Sequence, residues 1–214
     1  MENRNGQGIF YGVIGVATLV VAIIGATFAY FSAAGNTDST TITGTTGSGG
    51  GLSLTVTDLT TTATGALVPQ KATALQSALT GTGGKSCVDG NGNTVCKVYS
   101  IVVGNTGTSS VATTGTLNLS AGTANTNMHW ALLDSQTAVP TGGVTAKAAG
   151  SAQSIANPTL DPAGGTAPSK TYYVVVWLEE TDAQQDANDA GQSFTGTVTF
   201  EGAGSGQVTS TFTS

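Results

Sequence analysis

Charge is scarce in this chain. Only 8 % of its residues are Asp, Glu, Lys or Arg, and 12 acids against 6 bases leave a formal net charge of −6. No basic stripe exists, so nucleic acid is not an expected partner, and the acidity is too diffuse to name another. Histidine is almost missing. With His129 alone, a Ser-His-Asp or Cys-His relay would rest on one residue. No nucleophile elbow and no His-Glu-x-x-His accompanies it. Cysteine stops at Cys87 and Cys96, too few beside one distant His for a zinc site. No repeat of fixed period is visible. The expectation is a protein without enzyme activity and without a cofactor.

Low charge does not make the chain disordered. Disorder goes with high net charge and few β-branched residues, whereas Thr and Val are abundant here and favour strands. Gly, Thr, Ser and Ala dominate the rest.

One long apolar run is present, at residues 9 to 31, IFYGVIGVATLVVAIIGATFAYF, with no charge inside it. As a helix it is long enough for the roughly 30 Å hydrocarbon core of a bilayer. A polar head with Glu2 and Arg4 precedes it, and small residues follow, which is the layout of a secretory signal. Two cleavage points fit: before Tyr30, after Thr27-Phe28-Ala29, or before Gly35, after Ser32-Ala33-Ala34. An uncleaved signal anchor is the alternative, because the run exceeds the usual signal core. Gly12, Gly15, Thr18 and Gly25 divide it into shorter blocks. A third reading is a type IV prepilin cut after Gly8, but Val13 stands where Glu is expected. In every case the remainder is extracytoplasmic.

Roughly 185 residues follow Ala29, a normal size for one domain. The expected division is a signal peptide or anchor over 1–29, a flexible Gly/Ser/Thr-rich arm over 30–51 and a β-domain over 52–214. The arm holds one strand candidate, Thr40 to Thr45. In the body, Leu52, Leu54 and Val56 alternate with polar residues as one face of a strand. Val68, Ala72, Leu75 and Leu79 recur at helical spacing, which predicts one short amphipathic helix. Further strands are expected at 97–103, 116–119, 129–133 and 208–212. The stretch 171–178, TYYVVVWL, is apolar on both faces and reads as the central buried strand. Residues 192–200 read as its half-buried partner. From Asp134 to Ser169 the composition predicts loops with little regular structure. Many short strands, turns and one helix point to an all-β antiparallel sandwich or jelly roll.

Between the cysteines lies Asp89-Gly90-Asn91-Gly92-Asn93, a tight-turn signal flanked by Val88 and Val95. A hairpin there brings the two sulfurs together, and an oxidising compartment lets them join, so a Cys87–Cys96 disulfide is expected. Asp89, Asn91 and Asn93 also match the first ligand positions of a calcium loop, but its twelfth position is Ser100, and turn chemistry accounts for all three. Glu179, Glu180, Asp182, Asp186 and Asp189 form an acidic segment after the central strand. Paired carboxylates there are compatible with a hydrolase or a weak cation site; a solvated loop is the plainer reading. His129, beside Trp130 and Leu132, reads as a core or edge histidine.

The leader end Thr27-Phe28-Ala29-Tyr30-Phe31 resembles that of TasA and camelysin (CalY) proteins, which a SipW-type signal peptidase processes. Ile42-Thr43-Gly44-Thr45 before Leu52–Val56, and Val103-Gly-Asn-Thr-Gly107, resemble the family's first strands and its Asn-x-Gly turn. The resemblance covers the leader and first strands best. It implies a jelly roll, a signal-peptidase site at Thr27, Ala29 and Tyr30, and a role as subunit of biofilm matrix fibres. In those fibres an N-terminal segment of one subunit completes the sheet of the next. The corresponding arm here carries Tyr30, Phe31 and Ile42. Camelysin's metalloprotease classification does not carry over, since no metal triad is recognisable, and the cysteine pair departs from the family pattern.

Physically, a freed arm with an aromatic pair and a Thr-rich strand candidate suits strand addition to a neighbour, a heterologous contact that grows filaments. Its alternative is pairing within its own subunit. The expected function is therefore an exported structural protein, subunit or accessory of surface fibres, with itself and a signal peptidase as partners. It would touch the membrane through residues 9–31 before, or without, cleavage. The alternative is a membrane-anchored adhesion module; a pilin-like subunit or hydrolase ranks below both.

Overall fold

A computed structural model describes residues 15–18, 51–60, 67–80, 86–121, 127–181, 193–204 and 206–214. The strand candidate at 40–45 and most of the apolar run lie outside these residues. Among the described residues, no helix is long and apolar enough to cross a membrane.

Alternating apolar residues build ten strands among the described residues, and the body from residue 51 onward is all-β with antiparallel sheets and one short α-helix. One sheet runs β1 (Leu52–Asp58), β2 (Cys96–Asn105), β8 (Ser169–Leu178), β4 (Met128–Leu133), β5 (Lys147–Ala148). The other runs β10 (Gly206–Thr213), β9 (Phe194–Gly202), β3 (Val111–Ala121), β6 (Gln153–Ala156), with β7 (Thr159–Leu160) also paired to β3. All the strand pairings are antiparallel.

The two sheets share one apolar core. Leu54 and Val56 of β1, Ile101 of β2, Trp130 of β4 and Val174 and Val176 of β8 meet Leu117, Leu119, Phe194, Val198, Phe200 and Phe212 of the opposite sheet. A second core lies on the outer face of the β8 sheet. There Val98, Ala131, Val175 and Trp177 are covered by Leu75, Ala78 and Leu79 of the helix α1 (Leu75–Thr80) and by both cysteines. This third layer is the reason 171–178 is apolar on both faces: odd and even residues of β8 enter different cores. Its central position in the five-stranded sheet is as expected.

Four expectations are corrected. The strand at 192–200 is not β8's neighbour: β9 belongs to the opposite sheet, where it pairs with β3 and β10. The helix is shorter than its periodicity. Val68 and Gln70 donate backbone N–H groups to the carbonyls of Thr94 and Leu178, holding 67–70 extended. A 3₁₀ turn at Ala72–Ala74 precedes α1, so Val68 reaches the second core from outside the helix. The strand foreseen at 116–119 extends over Val111–Ala121. Finally, the presumed loop region 134–169 contains β5, β6 and β7, short strands recruited by the open flanks of β4 and β3. Ile155 and Leu160 anchor that region in the main core.

Two inward positions lack side chains for a steric reason. Gly115 faces the ring of Phe200 on its cross-strand partner, and Gly196 that of Phe212. A Cβ at either glycine would stand well inside van der Waals contact of the ring. The far end of each ring occupies the gap its partner leaves, a known way of recovering the packing a strand glycine forfeits.

Candidate functional site

Cys87 and Cys96 are joined, with Cα atoms 4.9 Å apart, and both are fully buried in the second core. The turn between them is organised by Asp89. Its carboxylate accepts from the backbone N–H groups of Asn91 and Asn93, both at 2.8 Å, and from the Asn93 side-chain amide at 2.9 Å. Gly92 takes φ +85°, where glycine carries no Cβ penalty. Partial burial opposes ionisation of Asp89, but the hydrogen bonds from Asn93, Asn91 and Gly92 outweigh it and hold the carboxyl below its ordinary range. All three calcium-like residues are thus engaged in the turn itself. Across the hairpin Val88 pairs with Thr94, and Cys87 adopts φ +61°.

The loop closed by this bond is short, and the bond ties α1's layer to β2. Replacing both cysteines, Cys87→Ala with Cys96→Ala, is expected to cost about 2–4 kcal/mol in denaturant unfolding. Alkylation of the native protein is expected to label no thiol. Two reactive thiols in the folded protein would refute the bond.

Of the acidic segment, Glu179 and Glu180 are described; Asp182, Asp186 and Asp189 lie outside the described residues. Glu179 is a structural group. One carboxylate oxygen accepts from the Trp177 indole N–H and the other from the Ala72 backbone N–H at 3.2 Å. The second contact satisfies an N–H at the start of the 3₁₀ turn that no local side chain caps. His129, half-buried, stacks on Trp177 at 5.9 Å across the strand pair, and its Nδ1 lies 2.8 Å from the Asn127 carbonyl. Its ring is therefore engaged in packing on an edge of the second core. Among the described residues, no group of three or more His, Cys, Asp and Glu side chains is placed to hold a metal ion.

Sequence reasoning missed a buried ion pair. Asp58 and Lys97 point into one end of the main core, 3.7 Å apart. Asp58 also accepts from the Thr60 backbone and hydroxyl, and Thr60 Oγ1 accepts from Val98 N–H at 3.1 Å. Above them, burial and then the Asp58 charge push the Tyr99 phenol up from its ordinary value. Its hydroxyl donates to the Thr213 carbonyl at 3.0 Å. The charges stood in plain sequence, but only the register of β1 on β2 reveals that both face inward.

Asn105, in the turn resembling the family motif, has a physical task. Its side-chain amide donates to Ser109 and Asp161 carbonyls at 2.8 and 3.0 Å, and its oxygen accepts from Gly107 N–H at 2.9 Å. The buried amide thereby closes its own turn, 105–109, and ties it to the segment at Asp161.

The outermost strands are β1 and β5 in one sheet and β10 and β6 in the other. β1 and β10 run beside each other on one side of the molecule, and each pairs with a single strand among the described residues. β10, Gly206 to Thr213, contains neither charge nor proline, the features that usually protect an edge. At the opposite side β5 is two residues long and carries Lys147, whose ammonium lies 4.6 Å from the buried Trp130 ring. The expected signal-peptidase residues Thr27, Ala29 and Tyr30, and the arm residues Phe31 and Ile42, lie outside the described residues.

No family model and no curated protein matches the chain. Among solved structures it is similar to the sporulation control protein Spo0M from Bacillus subtilis, at 9% identity and TM-score 0.29, over 55% of this chain and 41% of that one. A FixG-related protein from Vibrio parahaemolyticus gives 10% identity and TM-score 0.26 over 75% and 94% of the two chains. The cupredoxin domain of amoB from Nitrosocaldus yellowstonii gives 8% and 0.27 over 76% and 84%. At these scores the likeness says nothing about ligands, activity or partners.

Proposed function

We propose that this chain is an exported structural protein, a subunit or accessory of extracellular surface fibres that assembles by strand addition and has no enzyme activity. The observation that carries the reading is an all-β body with a buried disulfide and an uncharged strand, β10, that among the described residues pairs on one side only. A structural disulfide fits an oxidising, extracytoplasmic compartment. The β10 edge has the backbone groups an extended segment needs for pairing, and residues 30–51 of a neighbour supply such a segment. The TasA-like leader end supports the same reading, with cleavage before Tyr30 freeing the arm. If the leader is retained, the same body becomes a membrane-anchored adhesion module.

Mass spectrometry of the mature N-terminus separates the two. A chain beginning at Tyr30 supports the fibre subunit; one beginning at Met1 excludes release of the arm. Electron microscopy of protein with and without residues 30–45 tests strand addition directly. Filaments are expected only with the arm, and equal filaments without it would refute its role.

A further inference from the structure

Two consecutive residues of β2 point into different cores. Cys96 enters the second core and is covalently tied to Cys87. Lys97 points the other way, into the end of the main core, where it meets Asp58, the last residue of β1. The two side chains are 6% and 13% exposed, and Thr60 beside them is fully buried. As an ion pair the contact is poorly made. Taking both charges out of water is repaid only by close geometry, and charge-assisted hydrogen bonds span about 2.7–2.9 Å. Here Nζ and Oδ2 are 3.7 Å apart. The close contacts of Asp58 converge instead on its other oxygen: Oδ1 accepts from the Thr60 N–H at 2.7 Å and from the Thr60 hydroxyl at 2.5 Å. That hydroxyl is oriented in turn, because its oxygen accepts from the Val98 N–H at 3.1 Å and leaves its proton for Asp58.

We infer that Lys97 and Asp58 are a self-joining pair, whose product is an amide between Lys97 Nζ and Asp58 Cγ. The carboxyl group has a primary amine on its Oδ2 side and two hydrogen-bond donors on Oδ1, the arrangement that stabilises a tetrahedral oxyanion. The reaction starts when a proton passes from the ammonium to Oδ2, leaving a neutral amine and a carboxylic acid. The nitrogen lone pair then attacks Cγ, and the carbonyl electron pair moves to Oδ1, where both Thr60 donors hold it. Nitrogen gives a second proton to the Oδ2 hydroxyl. The Cγ–Oδ2 bond breaks, water leaves, and the carbonyl at Oδ1 re-forms. One ammonium and one carboxylate become one amide and one water, so neither an oxidant nor a co-reactant is needed. Two effects favour the step. Fixing amine and carboxyl side by side replaces an encounter in solution, and the neutral product removes two charges from a buried site.

The amide pins the end of β1 to β2 one residue away from the disulfide, on the opposite face of the sheet. With it in place, a pull on the chain before Leu52 strips β1 from β2 no further than Asp58. That use rests on the fibre-subunit reading; the bond itself does not.

Peptide mapping of the native protein, fully denatured, reduced and alkylated, is the test. Trypsin is expected to leave the bond after Lys97 intact. The peptide ending at Lys71 should be joined to the one running from Ser86 through Lys97 to Lys147, the pair being lighter than its sum by the mass of one water. Fragmentation should place the branch at Asp58 and Lys97. Complete cleavage after Lys97 with an unmodified Asp58 peptide, or a branch to any other residue, would overturn the proposal. This measurement needs no variant, so it decides the matter even where substitutions fold poorly. Lys97→Arg keeps the charge without a nucleophilic amine and should give unbranched peptides only; a branch in that protein would equally refute the assignment. Thr60→Val keeps the backbone N–H and the shape but loses the hydroxyl. In a time course after cell-free synthesis its branched peptide is expected to form about tenfold more slowly, or slower still. An unchanged rate would refute the part given to the Thr60 hydroxyl.

Discussion

Trp177→Ala is expected to cost about 3–5 kcal/mol of folding stability, the usual loss for truncating a large buried aromatic. Trp177 is fully buried between β8 and the helix layer, in the core that also holds Leu75, Leu79 and the disulfide. Truncation removes that packing, the His129 stack and the donor to Glu179. Glu179 keeps its contact to Ala72 N–H, so the 3₁₀ turn is weakened through a less firmly held carboxylate. Trp177→Phe separates these effects: it retains most of the apolar area and loses the indole N–H, for about 1–3 kcal/mol. Urea unfolding of the three proteins checks this, comparing midpoints at constant slope. A loss under about 1 kcal/mol for the alanine variant would mean that the outer layer contributes little to the fold.

The second large effect is a coupling. Phe212→Ala is expected to cost about 3–5 kcal/mol, because its ring fills the core beside Tyr99, 4.1 Å between centroids, and covers Gly196. Gly196→Ala is expected to cost about 1–3 kcal/mol through overpacking, since its Cβ would stand 2.0 Å from the Phe212 ring in the unrelaxed structure. In the Phe212→Ala background the same glycine substitution should be almost neutral, or mildly stabilising as a strand glycine is removed. The double-mutant cycle should therefore return about 1–3 kcal/mol of interaction between the two sites. Strictly additive losses would refute a steric match between ring and glycine.

The strand β3 was less legible in the sequence than β8. In β8, every residue from Val174 to Leu178 is apolar and buried, so composition alone marks the strand. In β3 the inward positions include Thr113 and Gly115. Thr113 is buried because its backbone N–H and hydroxyl both donate to the Pro158 carbonyl, at 2.9 and 2.8 Å. Gly115 is inward because a ring from β9 occupies its space. Neither partner is near in sequence, and a period-two pattern counts only what each residue itself carries. β5, β6 and β7 were hidden for a related reason. Segments of two to four residues have too little pattern of their own and become strands only because β4 and β3 offer free hydrogen-bonding edges.

The sequence by itself determined the β-rich class, the central place of residues 171–178 and the Cys87–Cys96 bond. Each follows from local chemistry: β-branched alternation, a two-faced apolar run, and a glycine–asparagine turn between two thiols. Tertiary structure decided which sheet β9 joins, where the helix begins and what the acidic groups do. Glu179 meets Trp177 and Ala72, and Asp58 meets Lys97, through pairings set by strand register and layer packing. Register couples residues far apart in the chain, and the free energy that fixes it belongs to the assembled sheet rather than to any one segment.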